Sequence, residues 1–192
     1  MRSVFTKQLM VFRDRCIESP DSGFIARSFI LRPERRVLLW AGLERRLAPK
    51  TVVQGAVLRL TVVNRKGMPG TLSVARMRRP VDFYSANWIS PSPTTAFERP
   101  GGIEGSDHTR LRPVSFVPDS DEYLIEVDAT EDLQAWVMRG EPNYGWIIAG
   151  NTQLAGAGAV RFATSPTLDV RYSGGRTSGA SVLAGVHDAR GG

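Results

Sequence analysis

The stretch 51–63 constrains the fold most, because it is rich in β-branched residues and alternates with a period of two. Leu58 and Leu60 lie on one side of that alternation, and Arg59 and Thr61 lie on the other. This pattern is typical of a strand in a sheet that buries one face. We therefore expect a sheet protein rather than a helical bundle.

A second alternating stretch, 71–77, places Leu72 and Val74 on one side. Residues 64–70 join the two stretches and include Asn, Gly and Pro, which favour turns. The order strand, turn, strand predicts a β-hairpin.

Six further segments have strand composition and are separated by connections that carry Pro or Gly. They are residues 23–31, 36–40, 123–127, 145–149, 159–163 and 167–172. About eight short strands with such punctuation predict an all-β fold, and specifically a jelly-roll β-sandwich.

One short helix interrupts this pattern. Leu133, Trp136 and Val137 fall at helical spacing, and Gly140 stands where a left-handed C-cap belongs. Polar residues over 128–132 favour a helix N-terminus. The pattern predicts a helix that closes one end of the sandwich.

Composition divides the chain into three parts. Residues 1–22 form an extended N-terminal arm, residues 23–173 the sandwich, and residues 174–192 a Gly-rich C-terminal tail that is unable to form a core of its own. Within the sandwich, 78–122 carries six prolines and little periodicity. We expect that segment to be a long, structured crossing loop.

Charge is distributed unevenly. Residues 1–80 hold 17 Lys and Arg against 5 Asp and Glu, whereas residues 81–192 hold 8 against 14. Regions of opposite sign guide neighbouring copies, or another protein, into register. We expect no nucleic-acid partner, because the sequence has no recognised nucleic-acid module and no basic stretch interleaved with aromatic residues.

Cysteine content and hydropathy bear on where the protein works. Cys16 is the single cysteine, which excludes an intrachain disulfide. No apolar run approaches the roughly 20 residues that cross a bilayer, and charges interrupt the start of the chain, where a secretion signal needs an apolar core. We expect a protein made in the cytoplasm without a signal peptide and with no membrane partner.

Ten short elements occur in an order that resembles the DNRLRE domain family, over about residues 35–172. They are Arg36-Val-Leu-Leu-Trp40, Ala48-Pro-Lys-Thr-Val52, Ala56-Val-Leu-Arg-Leu60, Gly70-Thr-Leu-Ser-Val74, Asn87-Trp88, Arg99-Pro-Gly-Gly102, Val127-Asp-Ala-Thr130, Gln134-Ala-Trp136, Asn143-Tyr-Gly-Trp146 and Pro166-Thr-Leu-Asp-Val-Arg-Tyr172. The resemblance implies a jelly-roll β-sandwich of the kind found on extracellular enzymes, surface proteins and filaments, some of which are similar to carbohydrate-binding modules. It implies an architecture rather than a catalytic site.

Candidate catalytic groups are sparse. Catalysis needs an acid, base or nucleophile within hydrogen-bond reach of a partner. His108 and His187 have no partners at ligand spacing, and we interpret both as solvated. Cys16 has no histidine near it in sequence and is interpreted as a packing residue. We expect a protein that is not an enzyme.

An acidic turn is the best candidate for a metal site. Asp119, Asp121 and Glu122 place oxygen ligands in one loop, where a structural Ca²⁺ would rigidify it. The spacing matches no defined calcium loop, so a solvated turn is the competing interpretation. Apart from this calcium we expect no cofactor.

Sugar binding would use exposed aromatic faces. The candidates in the long loop are Trp88, Tyr84 and Phe83, whereas Trp40, Trp136 and Trp146 are expected in the core. For Trp88 the sequence leaves open whether it forms a binding platform or packs the loop.

The N-terminal arm has enough apolar area to dock on a partner or on the edge of its own sandwich. Its expected partner-binding residues are Phe5, Leu9, Met10, Phe12, Arg13 and Arg15.

Together these features favour a non-enzymatic structural protein, assembled in many copies through its terminal arms. A signal-less sandwich with extended termini is typical of a bacteriophage virion component, such as a capsid decoration, cement or fibre module. Its partners would be other copies of itself, a major capsid protein or another virion protein. The alternative is a carbohydrate-binding or adhesion module of a cell-surface or extracellular protein, with a glycan as ligand.

Overall fold

A computed structural model describes residues 4–10, 13–18, 30–31, 35–44, 46–65, 70–116, 123–150, 160–162 and 166–173. Within these ranges the strands are β1 (Val4–Met10), β2 (Arg13–Glu18), β3 (Ile30–Leu31), β4 (Arg35–Trp40), β5 (Val52–Arg65), β6 (Gly70–Arg76), β7 (Arg112–Phe116), β8 (Tyr123–Asp128), β9 (Trp146–Gly150), β10 (Val160–Phe162) and β11 (Thr167–Ser173). A short helix, α1 (Thr130–Leu133), continues into a π-helical turn, Gln134–Met138.

The strands form two antiparallel sheets. Sheet A contains the row β1, β11, β5, β8. β11 pairs with residues 52–59 of β5, and β10 pairs with residues 62–65 of β5 and with β3. Sheet B has the order β2, β4, β9, β6, β7. The first and last of the described strands pair side by side, and the chain passes repeatedly between the sheets, as in a jelly roll. The predicted all-β sandwich with one short helix is confirmed.

Alternate residues of both sheets form the main core between them. Leu58 and Leu60 of β5 are buried there, as are Leu72 and Val74 of β6. These are the residues that the period of two predicted to face inward. Each fully buried leucine stabilises the fold by about 2 kcal/mol through the apolar surface it removes from water.

The predicted hairpin between β5 and β6 is wrong, because the two strands lie in different sheets. β5 pairs with β8, β10 and β11, whereas β6 pairs with β7 and β9. A strand with one buried face satisfies the alternating pattern equally well beside its neighbour or across the core from it. The local pattern therefore could not choose between the two arrangements.

The segment predicted as a loop over 78–122 contains a strand as well. β7 pairs with β6 at the edge of sheet B, with Pro113 opposite Ser73. Proline argues against a central strand, but an edge strand tolerates the missing N–H. Of the strand predicted over 23–31, the described part is Ile30–Leu31.

Of the N-terminal arm predicted over 1–22, the described residues 4–10 and 13–18 are strands of the sandwich. β1 pairs with β11 over its whole length, and β2 pairs with β4, so consecutive strands form one edge of each sheet. Strand pairing satisfies the main-chain hydrogen-bonding groups on one side of each strand, which docking by apolar contact alone would leave unmade. The tail predicted over 174–192 lies outside the described residues.

The predicted helix closes one end of the sandwich. Leu133 and Trp136 are buried in the main core, and the Trp136 ring meets Trp146 of β9 edge to face at 4.8 Å. The Asp132 carboxylate accepts a hydrogen bond from the Trp146 indole Nε1 at 2.7 Å. Gly140 follows at φ +72°, the left-handed conformation expected of its position. In the described ranges no helix has the length and apolarity needed to span a membrane.

Candidate functional site

Residues 77–111, here called the loop layer, cover the outer face of sheet B. Leu38 of β4 and Ile147 of β9 point away from the main core, yet both are fully buried. They form a second hydrophobic cluster with Phe83 and Phe97 of the loop layer. Sheet B therefore buries both of its faces, and the loop layer acts as a third layer of the fold.

Short polar side chains fix the tip of the loop layer, residues 82–90. The Asp82 carboxylate accepts a hydrogen bond from the backbone N–H of Tyr84 at 3.0 Å, and the Asn87 side-chain oxygen accepts one from Ile89 at 2.9 Å. Such bonds to the backbone two residues on stabilise tight turns. The tip thus presents Tyr84 and Ile89, 78% and 56% exposed, from a fixed backbone.

The three aromatic residues predicted to bind sugar occupy different environments. Phe83 is buried in the second cluster, which contradicts a role as a stacking platform. Trp88 is half-buried, since a Cβ on Gly101 would overlap its ring and the Arg36 guanidinium carbon lies 5.6 Å from the ring centroid. Trp88 packs against the second cluster, and its role as a binding platform stays a prediction. Of the three, Tyr84 offers an exposed ring.

Arg36 of β4 fastens the loop layer to sheet B. Its Nη1 donates hydrogen bonds to the carbonyl oxygens of Gly101 at 2.5 Å and Gly102 at 3.1 Å. Both glycines have positive φ, 82° and 84°, which a side chain would disfavour. Burial lowers the pKa of the Arg36 guanidinium, and the negative charge of Asp107 partly offsets that effect.

Asp107 is the polar centre of the loop layer and has no exposed surface. Its carboxylate accepts hydrogen bonds from the backbone N–H groups of Ile103 at 2.8 Å and Glu98 at 3.1 Å. Arg79 contributes an ion pair with an N···O distance of 2.6 Å. Because a buried carboxylate is tolerated only when its charge and lone pairs are satisfied, these three partners hold one side chain at the junction of three loop segments.

His108, interpreted from the sequence as solvated, is 1% exposed, so that interpretation is wrong. Its Nδ1 lies 2.7 Å from the carbonyl oxygen of Thr109, and because a carbonyl only accepts, Nδ1 carries the proton. Burial lowers the pKa of His108, against the opposing effect of the Thr109 carbonyl. The residue is neutral packing in the loop layer rather than an exposed base. His187 lies outside the described residues.

The grouping of Arg36 with Asp107 and His108 was not predicted, because Arg36 is far from the other two in the sequence. A signal for it does exist in the apolar runs 37–39 and 146–149, which do not alternate. Such runs are typical of strands that are buried on both faces, so a further layer has to cover them.

The predicted partner-binding residues lie at the edges of both sheets. Phe5 is half-exposed on β1, with its ring 5.8 Å from that of Tyr172 on β11. Leu9 and Met10 belong to β1, Arg13 and Arg15 belong to β2, and Phe12 lies outside the described residues. Cys16 is also part of β2, opposite Val37 of β4.

The predicted calcium ligands Asp119, Asp121 and Glu122 lie outside the described residues. In the part of the chain that is described, no three His, Cys, Asp or Glu side chains come together as a metal site would require. The calcium site stays a prediction.

Sequence comparisons identify no family for this chain. No protein-family model matches the sequence, and no curated protein matches it. The resemblance to the DNRLRE domain family therefore stays a prediction, whereas the sandwich rests on the strand pairing itself.

Proposed function

We propose that the protein is a non-enzymatic structural protein that assembles in many copies, and that the assembly is a bacteriophage virion in which it serves as a capsid decoration, cement or fibre module. The observation that carries this proposal is the position of its exposed apolar side chains. Val4 and Phe5 lie on β1, and Leu124 lies on β8, so two outer strands of sheet A present half-exposed apolar residues. Sheet edges with such residues are templates for pairing with another chain.

Two buried carboxylates, Asp107 and Asp132, support the same proposal. Both make their hydrogen bonds and ion pairs with other residues of this chain. Asp107 is held by Arg79 and by backbone N–H groups, and Asp132 is held by Arg112 and the Trp146 indole. These carboxylates stabilise the loop layer and the helix. A loop layer and a helix held by such bonds suit a building block that contacts its neighbours through a fixed surface.

In this proposal the N-terminal segment does not act as a free arm. Since β1 and β2 are edge strands, assembly uses the edge of the sandwich itself. The partner is another copy of the chain, a major capsid protein or another virion protein.

Sizing chromatography and electron microscopy of the full chain test the assembly. We expect oligomers whose size grows with concentration, or decoration of large particles when a capsid is supplied. Genes for capsid or tail proteins beside this one would support the virion, and their absence together with a monomer at every concentration would contradict it.

A glycan-binding function is the second candidate, and Tyr84 favours it. Its ring is exposed on a tip whose backbone is fixed by Asp82 and Asn87, which suits stacking against a sugar. A glycan array should then find a ligand whose affinity falls about tenfold or more in Tyr84→Ala, since a stacked aromatic ring contributes on the order of 1–2 kcal/mol. Ile89→Ala, at the same tip, is the matched control. An array without a ligand would remove this candidate.

A further inference from the structure

Two outer strands of sheet A, β1 and β8, are the starting point; the third, β3, has only two residues. Among the described strands, β1 pairs with β11 alone and β8 with β5 alone, so each has one edge without a partner strand. Val4 and Phe5 on β1 are 52% exposed, and Leu124 on β8 is 50% exposed. Both edges therefore combine main-chain groups ready for pairing with apolar side chains ready for burial.

The outer strands of sheet B are less suited to pairing. β7 contains Pro113, which has no N–H to donate, and β2 carries Arg13, Asp14 and Arg15 in succession. Proline and charged residues are the devices by which sheet edges avoid other strands. In sheet A, by contrast, β1 and β8 contain no proline. The difference points to sheet A as the sheet that continues into another molecule.

The charges of β1 and β8 indicate which of these two edges can pair with each other. Lys7 is the one charged residue of β1, whereas β8 carries Glu126 and Asp128. Two β1 edges would bring lysines together, and two β8 edges would bring carboxylates together. A β1 edge against a β8 edge avoids both like-charge contacts, because Lys7 shares the inner face of the sheet with Val170 whereas Glu126 shares the outer face with Arg59.

Strand direction agrees with the same pairing. Every neighbouring pair in the row β1, β11, β5, β8 is antiparallel, so β1 and β8 of one copy run in opposite directions. A second copy in the same orientation would therefore place its β1 antiparallel to β8 of the first. The alternation of the sheet continues across the junction without any inversion of the second copy.

We infer that β1 of one copy pairs with β8 of the next, so that sheet A runs continuously from copy to copy in a head-to-tail chain. This inference rests on the proposed function and specifies its contact. A head-to-tail contact produces a ring where the rotation closes and a filament where it does not. One pair of short strands makes a small interface, so the association is weak per junction and depends on concentration.

Three variants of the full chain test this junction by sedimentation velocity. Val4→Asp places a carboxylate on the β1 edge, and Leu124→Asp places one on the β8 edge. Ile89→Asp, on the loop tip, changes an equally exposed apolar residue outside sheet A. Each edge variant alone should raise the dissociation constant of self-association about tenfold or more, because burial of one apolar side chain is lost. The Ile89 variant should assemble like the wild type.

Mixing the two edge variants gives the sharpest result. Val4→Asp retains an intact β8 edge and Leu124→Asp retains an intact β1 edge, so an equimolar mixture can form one normal junction per pair. We expect heterodimers that do not grow further. Heterodimer formation also shows that both variants are folded.

Several results would overturn the junction. If Leu124→Asp alone still forms stable dimers, the contact is symmetric through β1, and the head-to-tail chain is wrong. If all three variants assemble like the wild type, the contact lies elsewhere while the proposed function stands. If the wild type neither associates at any concentration nor binds particles, the junction and the proposed function both fail.

Discussion

In sheet A and sheet B alike, successive side chains point to opposite faces, but the two sheets have different surroundings. In sheet A, β5 buries Leu58 and Leu60 on one face and leaves Arg59 half-exposed on the other. In sheet B, Leu38 and Ile147 on the outer face are as buried as their neighbours on the inner face. The difference teaches that a sequence loses its period of two where the fold adds a third layer.

The ionic contacts of the two sheets differ in the same way. On the outer face of sheet A, Arg59 forms ion pairs with Glu126 at 2.8 Å and with Asp169, all at least partly exposed. Within the loop layer, Asp107 has no exposed surface. Exposed ion pairs contribute little to stability, whereas a buried carboxylate is costly to disturb.

Asp107→Ala should produce the largest effect and would test whether the loop layer is integral to the fold. The backbone N–H groups of Ile103 and Glu98 lose their acceptor, and Arg79 loses its ion pair. We expect a loss of about 4 kcal/mol in the free energy of unfolding, measured by denaturant titration. The control Glu126→Ala, in sheet A, should cost under about 1 kcal/mol. Equal losses would contradict the contrast between the sheets.

Leu38→Ala sharpens the comparison for apolar packing. Leu38 is fully buried although it lies on the outer face of its sheet, so we expect a loss of about 3 kcal/mol, as for a core leucine. Val57→Ala, at a half-buried position of β5, should cost about 1 kcal/mol or less. Thermal and chemical unfolding of both variants measure the difference. A loss for Leu38→Ala as small as that for Val57→Ala would mean that the loop layer does not exclude water.

The smallest effect is a pH dependence that originates in the loop layer. Burial holds the pKa of His108 below its usual value of about 6.5, so the unfolded chain takes up this proton more readily than the folded chain. The stability associated with His108 is therefore complete above about pH 6.5 and is lost as the pH falls through the lowered pKa. The midpoint of thermal unfolding should fall less between pH 7.5 and pH 5 in His108→Gln than in the wild type. An identical fall in both proteins would exclude His108 as the source.

The strands themselves were largely predictable, because alternation and turn residues are local properties. β5, β6, β8 and β11 match the predicted stretches closely, and the short helix with Gly140 after it lies where its spacing predicted. The assignment of strands to sheets was not predictable. It depends on which hydrophobic faces meet, and the sequence around β5 and β6 is compatible with either arrangement.

The candidate site was less predictable than the fold. Tyr84 is exposed on the loop tip as a binding residue needs to be, but Phe83 is buried beside it and Trp88 is held by Arg36. The burial of His108 likewise depends on partners distant in sequence. Single residues in a loop carry no periodicity, so their exposure follows from tertiary contacts that a local pattern does not contain.

The pairing of β1 with β11 affects how this chain folds during translation. β1 leaves the ribosome long before its neighbour is synthesised, because Met10 pairs with Thr167. Until then the nascent polypeptide carries an apolar segment without its native companion, which is the situation in which chaperones engage growing chains. Completion of sheet A thus has to wait for β11, and a ribosome stalled before Thr167 would display β1 unprotected.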